Sequence, residues 1–159
     1  MKTIVKRTTL IVRDIEKSRH WYQHVLNMSV YYDKPVVLSG VGMAAGKKGD
    51  KTHLVILKCE DPQIGMIGLL QWIDPPMPAP EEIPKSVTYG NPTFVLSSDD
   101  VHEVHRRAIE LGTHIHAAPH EWSIEGADGS IIDFVGLSVF DPDGYFYELN
   151  EERGRRPKA

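Results

Sequence analysis

From Thr3 to Val12 the chain alternates between apolar and polar residues, the period-two pattern of a strand with one buried face. Asp14 follows as a helix N-cap, and Ile15, Tyr22, Val25 and Leu26 then fall on one helical face, with Trp21 at its edge. Asn27 stands where helices often end in a left-handed residue. Ser29–Leu38, Thr52–Lys58 and Met66–Ile73 read as three further strands. A Gly/Lys loop over Gly40–Lys51 and a turn at Asp61-Pro62 separate them. Five prolines between Asp74 and Pro84 exclude both helix and central strand, so this stretch is a linker.

The pattern then restarts. Asn91–Ser97 reads as a strand, and Asp100 and Glu103 have capping-box spacing. Val101, Val104, Ala108 and Leu111 form a helical stripe that Gly112 ends. His114–Ala117 reads as a strand, Glu125–Ser130 as a turn-rich loop and Ile131–Phe140 as another strand. Asp141-Pro142-Asp143-Gly144 is a tight turn with Pro pre-set at its second position. In the strand returning from it, Tyr145, Tyr147 and Leu149 alternate with Phe146, Glu148 and Asn150 on the opposite face.

Each half therefore reads β-α-β-β-β. Thr9 to Val12 lines up with Thr93 to Leu96, Asn27 with Gly112, and Asp61-Pro62 with Asp141-Pro142. With one extra residue after Pro62, Leu69 to Gln71 lines up with Glu148 to Asn150. The predicted organisation is a first module over residues 1–74, a Pro-rich linker over 75–84, a second module over 85–152 and a C-terminal tail over 153–159. A module of this kind cannot bury its apolar sheet face alone, so the two make one α+β domain.

Composition narrows the partners. The 159 residues carry a net charge of −4, a pI near 6.0, 41% hydrophobic and 25% charged residues. That is an ordinary globular balance and points to neither nucleic acid nor a membrane surface. The basic run Arg153–Lys158 is expected to be a solvated, frayed end. Cys59 is the one cysteine, so there is no internal disulfide, and no basic motif beside it activates the thiol. Lys6 and Arg7 interrupt the N-terminal apolar run, which is not read as a signal peptide. No apolar run reaches the roughly 18 residues of a bilayer span, and a cytoplasmic location is expected.

Two stretches carry a family resemblance. The segment from Leu10 to Leu26 (LIVRDIEKSRHWYQHVL) and the segment from Phe140 to Leu149 (FDPDGYFYEL) resemble the vicinal oxygen chelate superfamily. This is the group of glyoxalase I, extradiol dioxygenases, methylmalonyl-CoA epimerase and the bleomycin- and fosfomycin-resistance proteins. Together with the repeat, the resemblance covers nearly the whole chain. It implies two βαβββ modules whose curved sheets form a cup holding the active site, with a small-molecule ligand and a homodimer. Metal-dependent members place a His at the start of each first strand and a Glu or similar residue on each last strand. Carried over, these positions are Arg7 and Asn91, and Leu69 and Glu148, with Gln71 one step along the same face. Arg has no lone pair to give, Leu offers nothing, and amide carbonyls are weak ligands for Zn, Fe or Ni. A divalent metal is disfavoured, and no cofactor is expected.

The resemblance thus implies that Arg7 replaces the metal's charge as an anion stabiliser while Glu148 acts as base. A purely structural ion pair is the competing reading. Asn91, Thr9, Thr93 and Asn150 share the strand parity that faces the cup, Phe146 should line it, and Gln71 is a further candidate contact. The expected activity is a metal-independent lyase or isomerase acting on a small carbonyl or carboxylate compound. The alternatives are a non-catalytic, resistance-type binding protein and a divergent metal-dependent glyoxalase or dioxygenase. His114 and His116 share one strand face with His120 nearby, and are read as surface or supporting residues rather than metal ligands. His20, His24, His102 and His105 fall on outward helix faces. The Gly40–Lys48 loop lacks the strand-then-helix context of a phosphate loop and is read as a flexible hairpin or lid. Trp72, Trp122, Tyr31 and Tyr32 are read as core or interface aromatics.

Overall fold

A computed structural model describes residues 1–159, and the repeated patterning folds as two units, Met1–Glu82 and Ile83–Ala159. The first contains β1 (Arg7–Ile11), α1 (Ile15–Val25), β2 (Ser29–Val37), β3 (Lys51–Lys58) and β4 (Met66–Asp74). Its sheet runs β1-β4-β3-β2, with β1 and β4 parallel and the other pairs antiparallel. Asp14 caps α1 by accepting a hydrogen bond from Lys17 N at 3.0 Å, and Asn27 adopts φ 54° beyond its end. The helix packs on β3 and β4, burying Tyr22 and Val25 on the face that carries Leu57, Val55 and Leu69. Strand β1 begins at Arg7 rather than Thr3. The reason is register: Arg7 pairs with Met66, the first residue of β4, so residues upstream have no strand beside them.

The second unit contains β5 (Thr93–Ser97), α2 (Val101–Glu110), β6 (His114–Glu125), β7 (Ile131–Phe140) and β8 (Phe146–Arg156), in sheet order β5-β8-β7-β6. Asp100 caps α2 through Glu103 N at 2.9 Å, and Gly112 takes φ 62° after it. Glu103 does not reach back as a capping box would. Its carboxylate binds Arg106 and Arg107, which hold its pKa down at about 2. Helix α2 packs on β6, β7 and β8 over a core of Tyr147, Leu149, Leu137 and Val139, with Phe94 stacked on Tyr147 at 4.6 Å. Both modules are therefore βαβββ, as the patterning predicts, and no helix is long and apolar enough to cross a membrane.

Two strands outrun their predicted ends. Strand β6 continues to Glu125, because register shifts between Ile115 and His120 form a bulge around Pro119 where no ladder N–H is needed. Strand β8 continues to Arg156, pairing Gly154, Arg155 and Arg156 with Asp133, Ile132 and Ile131. The basic run is thus not a frayed end. Arg156 pairs with Asp133, Arg155 with Glu152, and Lys158 with Glu125. The turn before β8 is buried: Asp141 is 4% exposed and accepts from Asp143 N at 2.9 Å and Tyr145 N at 2.8 Å. Gly144 has φ 88°, and a Cβ there would come within 2.6 Å of Pro84 O.

One contact made twice fixes how the modules correspond. Gln71 on β4 accepts from Ile15 N at 2.9 Å, and Glu151 on β8 accepts from Val101 N at 3.1 Å. Each takes an orphan N–H at the start of its module's helix. Arg7 therefore answers to Thr93, Thr9 to Val95, and Gly68 to Glu148. The sequence alignment slips by two residues on the first strand, which preserves the face. It slips by one on the last strand, which reverses it. That slip is why Gln71 is not on the face of Glu148. It points to the helix side, beside Leu69, as a cap.

Two outcomes follow from these contacts. Gln71→Leu should lower stability in urea by about 0.5–2 kcal/mol through loss of the Ile15 acceptor, without changing ligand binding elsewhere. A second concerns Asp33, which pairs with His53 and with Arg19 at 2.9 Å. The His53 hydrogen bond first, and Arg19 with it, hold the Asp33 carboxyl below its ordinary value. A depressed carboxyl contributes stability above its unfolded pKa of about 4 and loses it as pH falls through the folded value. Asp33→Asn should therefore be less stable than wild type at neutral pH. The gap should narrow as urea titrations are taken progressively below the unfolded pKa of about 4.

Candidate functional site

Beyond the turn, β8 sends Tyr147 and Leu149 to the helix and turns Phe146, Glu148 and Asn150 to the opposite face. Cross-strand register brings Phe140, Ser138 and Gly136 of β7 beside these three. His116, His120 and Trp122 of β6 complete the wall of a cleft of about 420 Å³ in the second unit.

A hydrogen-bond chain organises its floor. The Trp122 indole lies across Gly136, where a Cβ would come within 2.8 Å of Nε1. It stacks on Phe134 at 5.1 Å and donates to Asn150 Oδ1 at 3.0 Å. Asn150 Nδ2 donates in turn to Glu148 Oε1 at 2.8 Å. An indole N–H can only donate, so Asn150 must present its oxygen to Trp122 and its N–H groups to the carboxylate. Glu148 is thereby held through one oxygen, and the other is left for the cleft.

Aromatic rings make the wall. Phe146 meets Phe140 at 5.2 Å and His116 at 6.0 Å, both edge-on, and His114 sits against Phe140 at 5.2 Å. On the far side, His120 Nδ1 lies 2.9 Å from Ala118 O. A carbonyl only accepts, so Nδ1 carries a hydrogen.

The other predicted contacts separate by unit. Thr93 is in register with Phe146 on the same face, exposed at the start of β5. Asn91 lies before the strand, exposed, its backbone N–H donating to Thr88 O. In the first unit Arg7 Nε donates to Thr9 Oγ1 at 3.1 Å. The two side chains lie over Gly68, where a Cβ would meet Thr9 Oγ1 at 2.8 Å and Arg7 Cδ at 3.1 Å. The position answering to Glu148 is thus a glycine covered by an arginine, not Leu69. The structure brings together Glu148, Phe146 and Asn150, with Thr93 on their face. It groups Arg7 with Thr9 and removes Gln71 to a helix cap.

Sequence reasoning passed over Ser138, placed Trp122 in the core or an interface, and read His116 and His120 as surface or supporting residues. The available signal was Pro119, whose bulge turns His120 and Trp122 toward the cleft. In the Gly/Lys loop, Lys47 N and Trp72 Nε1 both donate to Asp50 Oδ2, at 2.9 and 3.1 Å, so the loop folds back over Trp72. No phosphate-loop geometry is formed.

The residues present do not fit a divalent transition metal. No group of three His, Cys, Asp or Glu side chains converges. Glu148 is already bound by Asn150, and its counterpart in the first unit is Gly68.

Comparison with known proteins agrees with this architecture. A glyoxalase family protein from Bacillus cereus superposes with a TM-score of 0.78 at 13% identity, covering 97% of each chain. The trypanothione-dependent glyoxalase I of Leishmania major gives 0.61 at 18% identity, covering 94% of this chain and 87% of its own. An antibiotic binding protein from Streptomyces gives 0.56 at 19% identity, covering 95% and 97%. These likenesses establish the fold and leave the reaction open. Comparison with curated protein sequences gave no match. The family model described as Glyoxalase/Bleomycin resistance protein/Dioxygenase superfamily matches residues 4–149. With its two βαβββ modules, the chain belongs to that superfamily.

Proposed function

We propose that the second unit's cleft binds a small carbonyl compound and that Glu148 removes a proton from the carbon beside the carbonyl, as in an isomerase or lyase. The observation that carries this is the Glu148 carboxylate, fixed by Asn150 at 2.8 Å in an aromatic-walled cleft with one oxygen to spare. In the step, the C–H bond breaks, the proton passes to the free carboxylate oxygen, and the electron pair moves onto the carbonyl oxygen as an enolate. Returning the proton to the opposite face of the same carbon completes an epimerisation, and expelling a leaving group from the β-carbon completes an elimination. Phe146 offers a flat face to an unsaturated ligand, and Thr93 a hydroxyl at the open end of the same sheet face.

In the first unit, Arg7 is proposed as a separate anion-binding group. Its guanidinium is exposed, and Thr9, a neutral hydroxyl, is its hydrogen-bond partner within the unit. It is suited to a ligand carboxylate or an oxyanion. A second reading, capture without turnover, draws support from the aromatic wall and from the antibiotic binding protein among the structural relatives.

Deuterium exchange separates the readings. Small ketones incubated with the protein in D2O should lose their α-hydrogen NMR signals. Glu148→Gln should slow that loss by about 10²- to 10⁴-fold. Binding with no exchange in wild type would favour capture. Exchange that survives Glu148→Gln would remove Glu148 as the base.

A further inference from the structure

We infer that Ser138 is a ligand-contacting residue of this cleft, whose hydroxyl donates a hydrogen bond to a neutral carbonyl oxygen on an unsaturated ligand. The inference rests on reading the cleft as the ligand site and goes on to name the group that receives the substrate's oxygen.

Ser138 lies on β7 directly across from Glu148, and it lines the cleft. It is only 6% exposed, yet its hydroxyl makes no hydrogen bond within the protein. No side-chain polar atom in the chain is both fully sealed and unpartnered, so the Ser138 oxygen reaches the cleft. A hydroxyl this deeply set beside the aromatic wall is costly to leave unpaired, and a bound ligand is what would pair it. Alanine or valine would pack the same place without that cost.

The surroundings specify the partner. No Lys or Arg lines the cleft, so nothing there neutralises a phosphate or sulfonate. Of the two residues across from Ser138 on the neighbouring strands, Glu148 presents a carboxylate acceptor and Ala117 offers no polar side chain. The ligand must therefore bring a hydrogen that faces Glu148 and a separate acceptor for Ser138. A carbonyl with a hydrogen on the adjacent carbon has that pairing. When the C–H bond breaks toward Glu148, the electron pair moves onto the carbonyl oxygen. The Ser138 O–H keeps its proton and strengthens its hydrogen bond to the growing charge.

The test uses two probes of nearly equal shape, acetophenone and α-methylstyrene, which differ by a carbonyl oxygen against a methylene. Binding is followed by the indole N–H resonance of Trp122 in 15N-labelled protein, assigned with Trp122→Phe. Wild type should bind acetophenone about threefold to tenfold more tightly than α-methylstyrene, the worth of one neutral hydrogen bond. Ser138→Ala should abolish that preference, leave α-methylstyrene affinity unchanged and leave Tm equal or higher. Ser138→Cys, close in size but a weak donor, should behave like the alanine variant. If the preference survives in both variants, Ser138 is not the donor, while Glu148 as base still stands. If neither probe moves the Trp122 resonance, the cleft is not a ligand site and both readings fall.

Discussion

The indole of Trp122 is a donor and nothing else, and the geometry of the cleft depends on that. Because its N–H must find an acceptor, Asn150 has to turn its oxygen toward β6, which leaves its N–H groups pointing at Glu148. Each link constrains the next. The indole reaches Asn150 by crossing β7 at Gly136, where a Cβ would come within 3.0 Å of the ring and its hydrogen bond. It starts from the right place because β6 is bulged around Pro119, and without the bulge Trp122 would lie out of step with Asn150. A proline, a glycine and a tryptophan on separate parts of two strands thus combine to set one carboxylate.

The scaffold repeats while the chemistry does not. In both modules a residue of the last strand reaches to the first N–H of the module's helix, an amide in one case and a carboxylate in the other. Both therefore lock strand to helix in the same way. On the opposite face the equivalence ends. Glu148 has Gly68 as its counterpart, and Thr93 has Arg7. A duplicated frame has been kept for stability, because each sheet needs its helix. The exposed faces have diverged, one toward a held carboxylate and the other toward an arginine lying over a glycine.

Much of this was legible in the chain. The order of elements, both N-caps, the Asn27 and Gly112 stops and the outward face of β8 all follow from local rules, and the structure has each of them. These features depend on neighbours in sequence. What escaped depended on neighbours in space. Gln71 looked like a site residue because the two halves were aligned by similarity of letters, and a one-residue slip in a strand exchanges its faces. Arg153 to Lys158 looked like a loose end because charges of one sign read as solvated. The acidic residues that order them, Asp133 and Glu125, come from β7 and the end of β6. Trp122 and Ser138 escaped for the same reason. Pro119 hints at a bulge, but nothing in Trp122 or Gly136 as letters says that the bulge will bring that indole over Gly136.

The balance of donors and acceptors is the last constraint on what the cleft can hold. Glu148 presents lone pairs, and Asn150 has spent its oxygen on Trp122 and one N–H on Glu148. Ser138 is the remaining hydroxyl, and no lysine or arginine joins it. A purely anionic ligand would meet a carboxylate with no cation in this lining to offset it, at a desolvation cost that a few neutral contacts do not cover. A flat, uncharged ligand carrying one acceptor and one removable hydrogen meets every group on its own terms. In the proposed reaction, the rings of Phe146 and Trp122 are the apolar surface against which so small a molecule would rest while a proton moves.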